Sequence, residues 1–127
     1  SYGAQKAGVD KMAHDMGVDF ADAESNVAAV SMWMGPLTTE RLIEMMELMP
    51  DRFEHLRDQL ETTEYTGHLA WAMYSDPDMM NRWNGKVVIG AEVGKEYGLP
   101  DEGGKYPQSV RVTTETETPI YAKYKVK

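Results

Sequence analysis

The sequence contains no cysteine, which excludes disulfides, thiolate metal sites and a cysteine nucleophile and suits a reducing compartment; the expectation is a cytoplasmic protein. It has no apolar run near the ~18 residues that span a bilayer, and its first residues lack the basic-then-apolar pattern of a secretion signal. Positive charge is scarce. Thirteen Lys and Arg face 21 Asp and Glu, a formal net charge of -8 with no basic cluster, which argues against a nucleic-acid backbone or an anionic membrane as partner. Histidine is sparse as well: His14, His55 and His68 fall on separate predicted helices, without H-x-x-x-H or H-E-x-x-H spacing, so no metal site is expected.

The 127 residues, 42% of them hydrophobic, suffice for one small domain with a core. From Tyr2 to about Phe20, Tyr2, Val9, Met12, Ala13, Met16 and Phe20 recur at helical spacing with Lys6, Asp10, Lys11, Asp15 and Asp19 between them. This predicts an amphipathic helix that buries those apolar residues. VAAVSMW (27–33) is a continuous apolar run, as suits a parallel strand covered on both faces. Gly35 and Pro36 end it, and Thr38 or Thr39 is placed to cap a helix reaching about Met49, which Pro50 closes. A short helix follows from Asp51 to about Leu60, and another over 63–75, opened by Thr62 or Thr63, is stopped by Asp76 and Pro77.

Asn84 and Gly85 form a turn into KVVIGAEV, with a strand over 86–89 and a brief helix that Gly98 terminates. The segment DPDMMNRWNGK lacks the ligand offsets and closing glutamate of an acidic calcium loop and reads as a turn and short helix. The long crossover between the two strands calls for parallel pairing in one sheet. Helix, strand, helices, strand is half of a doubly wound α/β order, yet two strands make no stable open sheet. The fold expected is therefore the C-terminal half of a Rossmann-like doubly wound parallel sheet, with its N-terminal half lying upstream of Ser1. Residues 1–111 form that segment and 112–127 a loosely structured tail. The ten methionines fall on apolar faces and read as core filler.

Tyr2 and Lys6 are candidates for chemistry. At i and i+4 they share one helix face a turn apart. A free phenol titrates near pH ~10 and transfers protons poorly at neutrality, but an adjacent ammonium favours the phenolate and fits the phenol for acid/base work. The same spacing also suits a half-buried aromatic beside a solvated lysine, and spacing alone does not choose between the two.

Together, S-Y-G-A-Q-K-A-G-V-D-K-M, the strand V-A-A-V-S-M-W and the M-G-P-L-T-T-E after it resemble the C-terminal half of the short-chain dehydrogenase/reductase family. The terminal GKVVIGAEVGKEYGLPDEGGKYP is similar to its branch containing dehydrogenase/reductase member 1, so the likeness covers residues 1 to about 111. The resemblance implies a parent oxidoreductase that passes a hydride between NAD or NADP and a small carbonyl or alcohol substrate. Tyr2 matches the catalytic acid/base, and Lys6 the lysine that tunes it and contacts the nicotinamide ribose. Gly35 matches the glycine of the turn after the strand, Leu37 a position whose backbone faces the nicotinamide carboxamide, and Thr39 a threonine contacting the cofactor.

Where the family usually has proline before that glycine, this chain has Met34, with Pro36 after it. The glycine-rich phosphate loop, the residue selecting NAD or NADP, and the serine and asparagine of the catalytic set are not in this sequence; they belong upstream of Ser1. The segment alone is therefore expected to be inactive. The resemblance also implies a homo-oligomeric full-length parent and a substrate pocket shaped largely by residues 37–60, in which Leu42, Ile43, Met46 and Met49 suit apolar walls or, equally, core positions. The alternative is a non-catalytic interaction or oligomerisation module derived from such an enzyme.

Overall fold

A computed structural model describes residues 2–113. Helix α1 (Tyr2–Asp22) leads into strand β1 (Val30–Trp33). The chain then makes α2 (Glu40–Leu48), α3 (Pro50–Phe53), a 3-10 segment (Glu54–Gln59), α4 (Thr63–Tyr74) and α5 (Met79–Trp83) before β2 (Lys86–Ile89). After it come α6 (Gly90–Tyr97), a 3-10 turn (Glu102–Gly104) and α7 (Val110–Thr113). Of the expected tail over 112–127, Val112 and Thr113 close α7 and the rest lies outside the described residues.

The helix boundaries follow local chemistry. Of the threonine pairs, Thr39 caps α2, its Oγ1 accepting from the Leu42 N–H at 3.3 Å, and Thr62 caps α4 by accepting from the Tyr65 N–H at 3.2 Å. Gly98 closes α6 at φ +66, a left-handed conformation that costs glycine little. Between α5 and β2, Gly85 turns at φ +72, and Asn84 accepts from the Ala29 N–H at 3.0 Å, tying the two strand entrances together. That tie begins where the apolar run 27–33 was expected to be strand throughout; the ladder itself starts at Val30.

β1 and β2 pair in parallel, Val30 opposite Lys86 and Trp33 opposite Ile89, as the crossover requires. Alternation sorts β1 cleanly. Val30, Met32 and Met34 face a core of Tyr65, Leu69, Met73, Trp83, Val88 and Val93 from α4, α5, β2 and α6, while Ser31 and Trp33 turn to α1. Arg82 fastens α5 to α6 by pairing with Asp76 and Glu96, and the Tyr97 hydroxyl donates to Asp76 at 2.5 Å.

Two expectations are corrected. The described residues are mostly helical, and their only sheet is the β1–β2 pair, so the half of a Rossmann-like doubly wound sheet is not what the chain builds. The cause lies between the strands: the chain winds through helices and turns from residue 34 to 85 and returns to the sheet once, whereas a wound sheet needs a strand after each crossover helix. The buried face of α1 is also rotated from the one expected. Asp10, Ala13 and Gly17 are buried, while Val9, Met12 and Met16 are 45%, 55% and 40% exposed. Small side chains let the helix approach the strands closely; the bulky ones would hold it off. No helix among the described residues is long and apolar enough to cross a membrane.

A Cβ on Gly17 would sit 2.3 Å from the Gly85 Cα and 2.5 Å from its N, both backbone atoms that cannot swing away. Gly17→Ala is expected to destabilise the protein by about 1–3 kcal/mol through overpacking. Gly8→Ala, on the same helix with nothing within 4 Å of the added methyl, should stabilise it by up to ~1 kcal/mol through helix propensity. Urea denaturation midpoints shifting in the same direction for both variants would contradict the close α1 contact.

Candidate functional site

The course of α1 determines where its chemistry lies. Near its end, Gly17 rests on Gly85 just ahead of β2, and the Asn84 Nδ2 donates to the Gly17 carbonyl at 2.8 Å. Two turns earlier, Asp10 Oδ1 accepts from the Ser31 hydroxyl at 2.5 Å and from the Trp33 indole N–H at 3.1 Å, at the carboxyl end of β1. The helix thus runs antiparallel to both strands. At 1.5 Å per residue, Lys6 and Tyr2 stand about 6 and about 12 Å beyond Asp10 along the axis, past the last residue of β1. That is the side from which the 34–39 turn departs.

Tyr2 is 74% exposed and Lys6 is exposed as well. The Lys6 Nζ lies 5.4 Å from the Tyr2 ring centroid, within cation–π range, so the structure brings these two together. Gly35, Leu37 and Thr39 follow one another in the turn, where Glu61 organises them. The Gly35 N–H donates to Glu61 Oε2 at 3.1 Å, the Glu61 N–H to the Pro36 carbonyl at 2.9 Å, and the Thr38 N–H to the Glu61 carbonyl at 2.9 Å. Leu37 forms a parallel bridge with Glu61. A parallel bridge uses the groups flanking its residue, so Leu37's own N–H and C=O turn away from Glu61; the C=O accepts from the Thr39 N–H at 2.7 Å. Thr39 spends its oxygen on the α2 cap and keeps a hydroxyl hydrogen to donate.

A Cβ on Gly35 would lie 2.6 Å from Glu61 Oε1, so a larger residue there would displace the carboxylate from its present position. Glu61 itself is 1% exposed. Burial pushes its carboxyl above the usual range and the nearby Asp101 charge adds to this, while the Gly35 N–H pulls the other way. Burial also opposes ionisation of Asp101, but the Thr62 hydroxyl and N–H and the Glu102 N–H hold its carboxyl below the usual range. Above them Tyr65 is pushed up to about 12, first by burial and then by the Glu61 and Asp101 charges, and its hydroxyl donates to the Leu99 carbonyl at 3.1 Å.

Beside the turn opens a cleft of about 360 Å³, lined by Met34, Gly35, Pro36, His55, Leu56, Gln59 and Val110. Its far wall is the 3-10 segment, where the Gln59 amide donates to the His55 carbonyl at 3.1 Å. Leu42, Ile43, Met46 and Met49 do not line this cleft, and Met46, at 2% exposed, is a core position. Glu61 and Asp10 were both missed by sequence reasoning. Asp10 had a signal, the small-residue register it shares with Ala13 and Gly17. Glu61 had none, because its burial comes from a bridge to a residue 24 positions earlier.

No group of His, Asp and Glu among the described residues could hold a metal ion. Compared with known proteins, the chain matches no family model and no curated sequence.

The raised carboxyl of Glu61 has a defined sign in stability. Its proton is held more tightly folded than unfolded, so its contribution is fully present below the unfolded value near 4.5 and is lost as pH rises through the folded value. Glu61→Gln keeps an acceptor for the Gly35 N–H and removes the titration. Stability measured against pH should therefore fall less for Glu61→Gln than for the parent across that window; parallel profiles would show that Glu61 ionises as freely folded as unfolded.

Proposed function

We propose that this chain supplies the proton-transfer and nicotinamide-facing part of an NAD(P)-dependent oxidoreductase of the short-chain dehydrogenase/reductase type, acting on a small carbonyl or alcohol compound. The observation that carries this reading is the antiparallel course of α1 along the parallel strands. It carries Tyr2 and Lys6 past the carboxyl end of β1, the end from which the 34–39 turn departs, although neither lines the cleft beside that turn. Ligand sites of parallel sheets form beyond strand carboxyl ends, and a cleft of mixed lining, with Met34, Leu56 and Val110 beside His55 and Gln59, can admit a small organic molecule.

The residues fit the nicotinamide end of such a cofactor. Leu37 presents an N–H turned away from its bridge, Thr39 has a hydroxyl hydrogen to donate, and Gly35 lets the turn pack without a side chain. The cofactor, when bound, supplies the hydride chemistry. Tyr2 donates a proton to a carbonyl oxygen in reduction or accepts one from a hydroxyl in oxidation, and Lys6 holds positive charge beside its ring. The sequence has no G-x-G-x-x-G or similar turn to cradle a pyrophosphate. These 127 residues by themselves are accordingly expected to turn over no nicotinamide cofactor.

A second reading, a non-catalytic interaction module, is favoured by one feature: the exposed Val9, Met12 and Met16, which form an apolar stripe along α1. A concentration-independent monomer in light scattering would count against it.

The test of the catalytic reading uses the natural gene product containing this chain, assayed for NADH and NADPH oxidation with a panel of aldehydes and ketones. Tyr2→Phe should lower turnover by ~10²-fold or more, the loss typical of removing general acid/base help. Lys6→Met should impair both turnover and cofactor affinity. Undiminished activity in Tyr2→Phe would refute the assignment.

A further inference from the structure

Asp10, like Thr66, carries a buried polar atom without a partner among the described residues. It is 6% exposed, and both of its hydrogen bonds fall on one oxygen, Oδ1, from Ser31 and Trp33. Its other oxygen, Oδ2, is buried without a partner among the described residues. A carboxylate oxygen left so is costly and calls for an explanation. The position supplies one. Tyr2, Lys6 and Asp10 stand at i, i+4 and i+8 on α1, so Lys6 is the helix neighbour of both, with Cβ atoms about 5–6 Å apart at each step.

We propose that Asp10 is the fixed counter-charge of Lys6: β1 holds one carboxylate oxygen, and the other receives the ammonium from one turn nearer the helix start, keeping Lys6 charged beside the Tyr2 phenol. The Lys6 side chain here extends toward the Tyr2 ring; the pairing requires it to swing back along the helix by one turn instead. Asp10 is thus a positioning residue that acts through Lys6 and does not itself touch a substrate.

The pairing answers a physical difficulty in any tyrosine–lysine couple. Unperturbed phenol and ammonium titrate within about half a pH unit of each other, so neither is assured of the state the other needs. A carboxylate near the lysine favours its charged form, and it acts on the phenol far less because that lies about twice as far along the axis. The result is an ammonium that stays protonated while the phenol exchanges its proton. Few other charges face Asp10. α1 itself carries Lys6 and His14 on neighbouring turns, β1 brings only Ser31 and Trp33, and β2 has Lys86 at its amino end, opposite Val30.

The pairing itself is independent of the oxidoreductase reading, whereas its consequence for Tyr2 rests on that reading, and the test needs neither cofactor nor turnover. The lysine Cε and histidine ring signals of the labelled chain are followed against pH by NMR, in the parent and in Asp10→Asn, which retains an acceptor for Ser31 and Trp33. The Lys6 midpoint should fall by about half a pH unit or more in Asp10→Asn, with His14 unmoved. An unchanged Lys6 midpoint in a folded Asp10→Asn protein, or a shift at His14 in its place, overturns the pairing. Should Asp10→Asn fail to fold, the reciprocal measurement decides: in Lys6→Met the Asp10 carboxyl must titrate at higher pH than in the parent, and an unmoved carboxyl refutes the proposal. A confirmed pair with a nicotinamide-inactive gene product would leave this inference standing and defeat the catalytic reading alone.

Discussion

The close approach of α1 to the strand pair is the contact on which the rest of the arrangement depends. Gly17 lies on Gly85 without room for a methyl group between them, and two turns away Asp10 is bonded to Ser31 and Trp33. Two contacts at opposite ends of a short sheet fix a helix in direction as well as position. Direction matters more, because reversing α1 would carry Tyr2 and Lys6 to the amino end of β1, away from the Gly35 turn. The bulky residues Val9, Met12 and Met16 sit outside because this seam accepts only small side chains and one anchored carboxylate.

The opposite face of the sheet is ordinary apolar packing, with Val30, Met32 and Met34 against α4, α5 and α6. What links that core to the turn is Glu61, which precedes the α4 cap and bridges back to Leu37. A glutamate there is costly to bury, and the cost is offset by the Gly35 N–H and by two backbone bonds to the turn. The 34–39 turn is therefore held from the α4 side of the molecule while α1 brings the tyrosine and lysine from the other.

Local features were legible in the sequence because they rest on local chemistry. The long first helix, the threonine caps, the Asn84–Gly85 turn, the Gly98 stop and the parallel pairing all follow from residue types and spacing. Three things were not. The fold class was overread: a helix–strand–helix–strand order is compatible with a wound sheet, but order alone does not supply further strands. The α1 face was misassigned, since helical periodicity identifies a hydrophobic side without saying whether a neighbour demands bulk or closeness. Asp10, placed among the polar spacers, is in fact central to the buried seam.

The central claim is that α1 runs antiparallel to the strands and delivers its first turn to the Gly35 end of the sheet. With no native cysteine, a single spin label can be placed at Gly3→Cys, where an added side chain meets nothing within 4 Å. Paramagnetic broadening should then be strong at the amides of Gly35 and Leu37 and weak at Asn84, Gly85 and Lys86. Strong broadening at Asn84 to Lys86 with sharp signals at Gly35 and Leu37 would contradict the account.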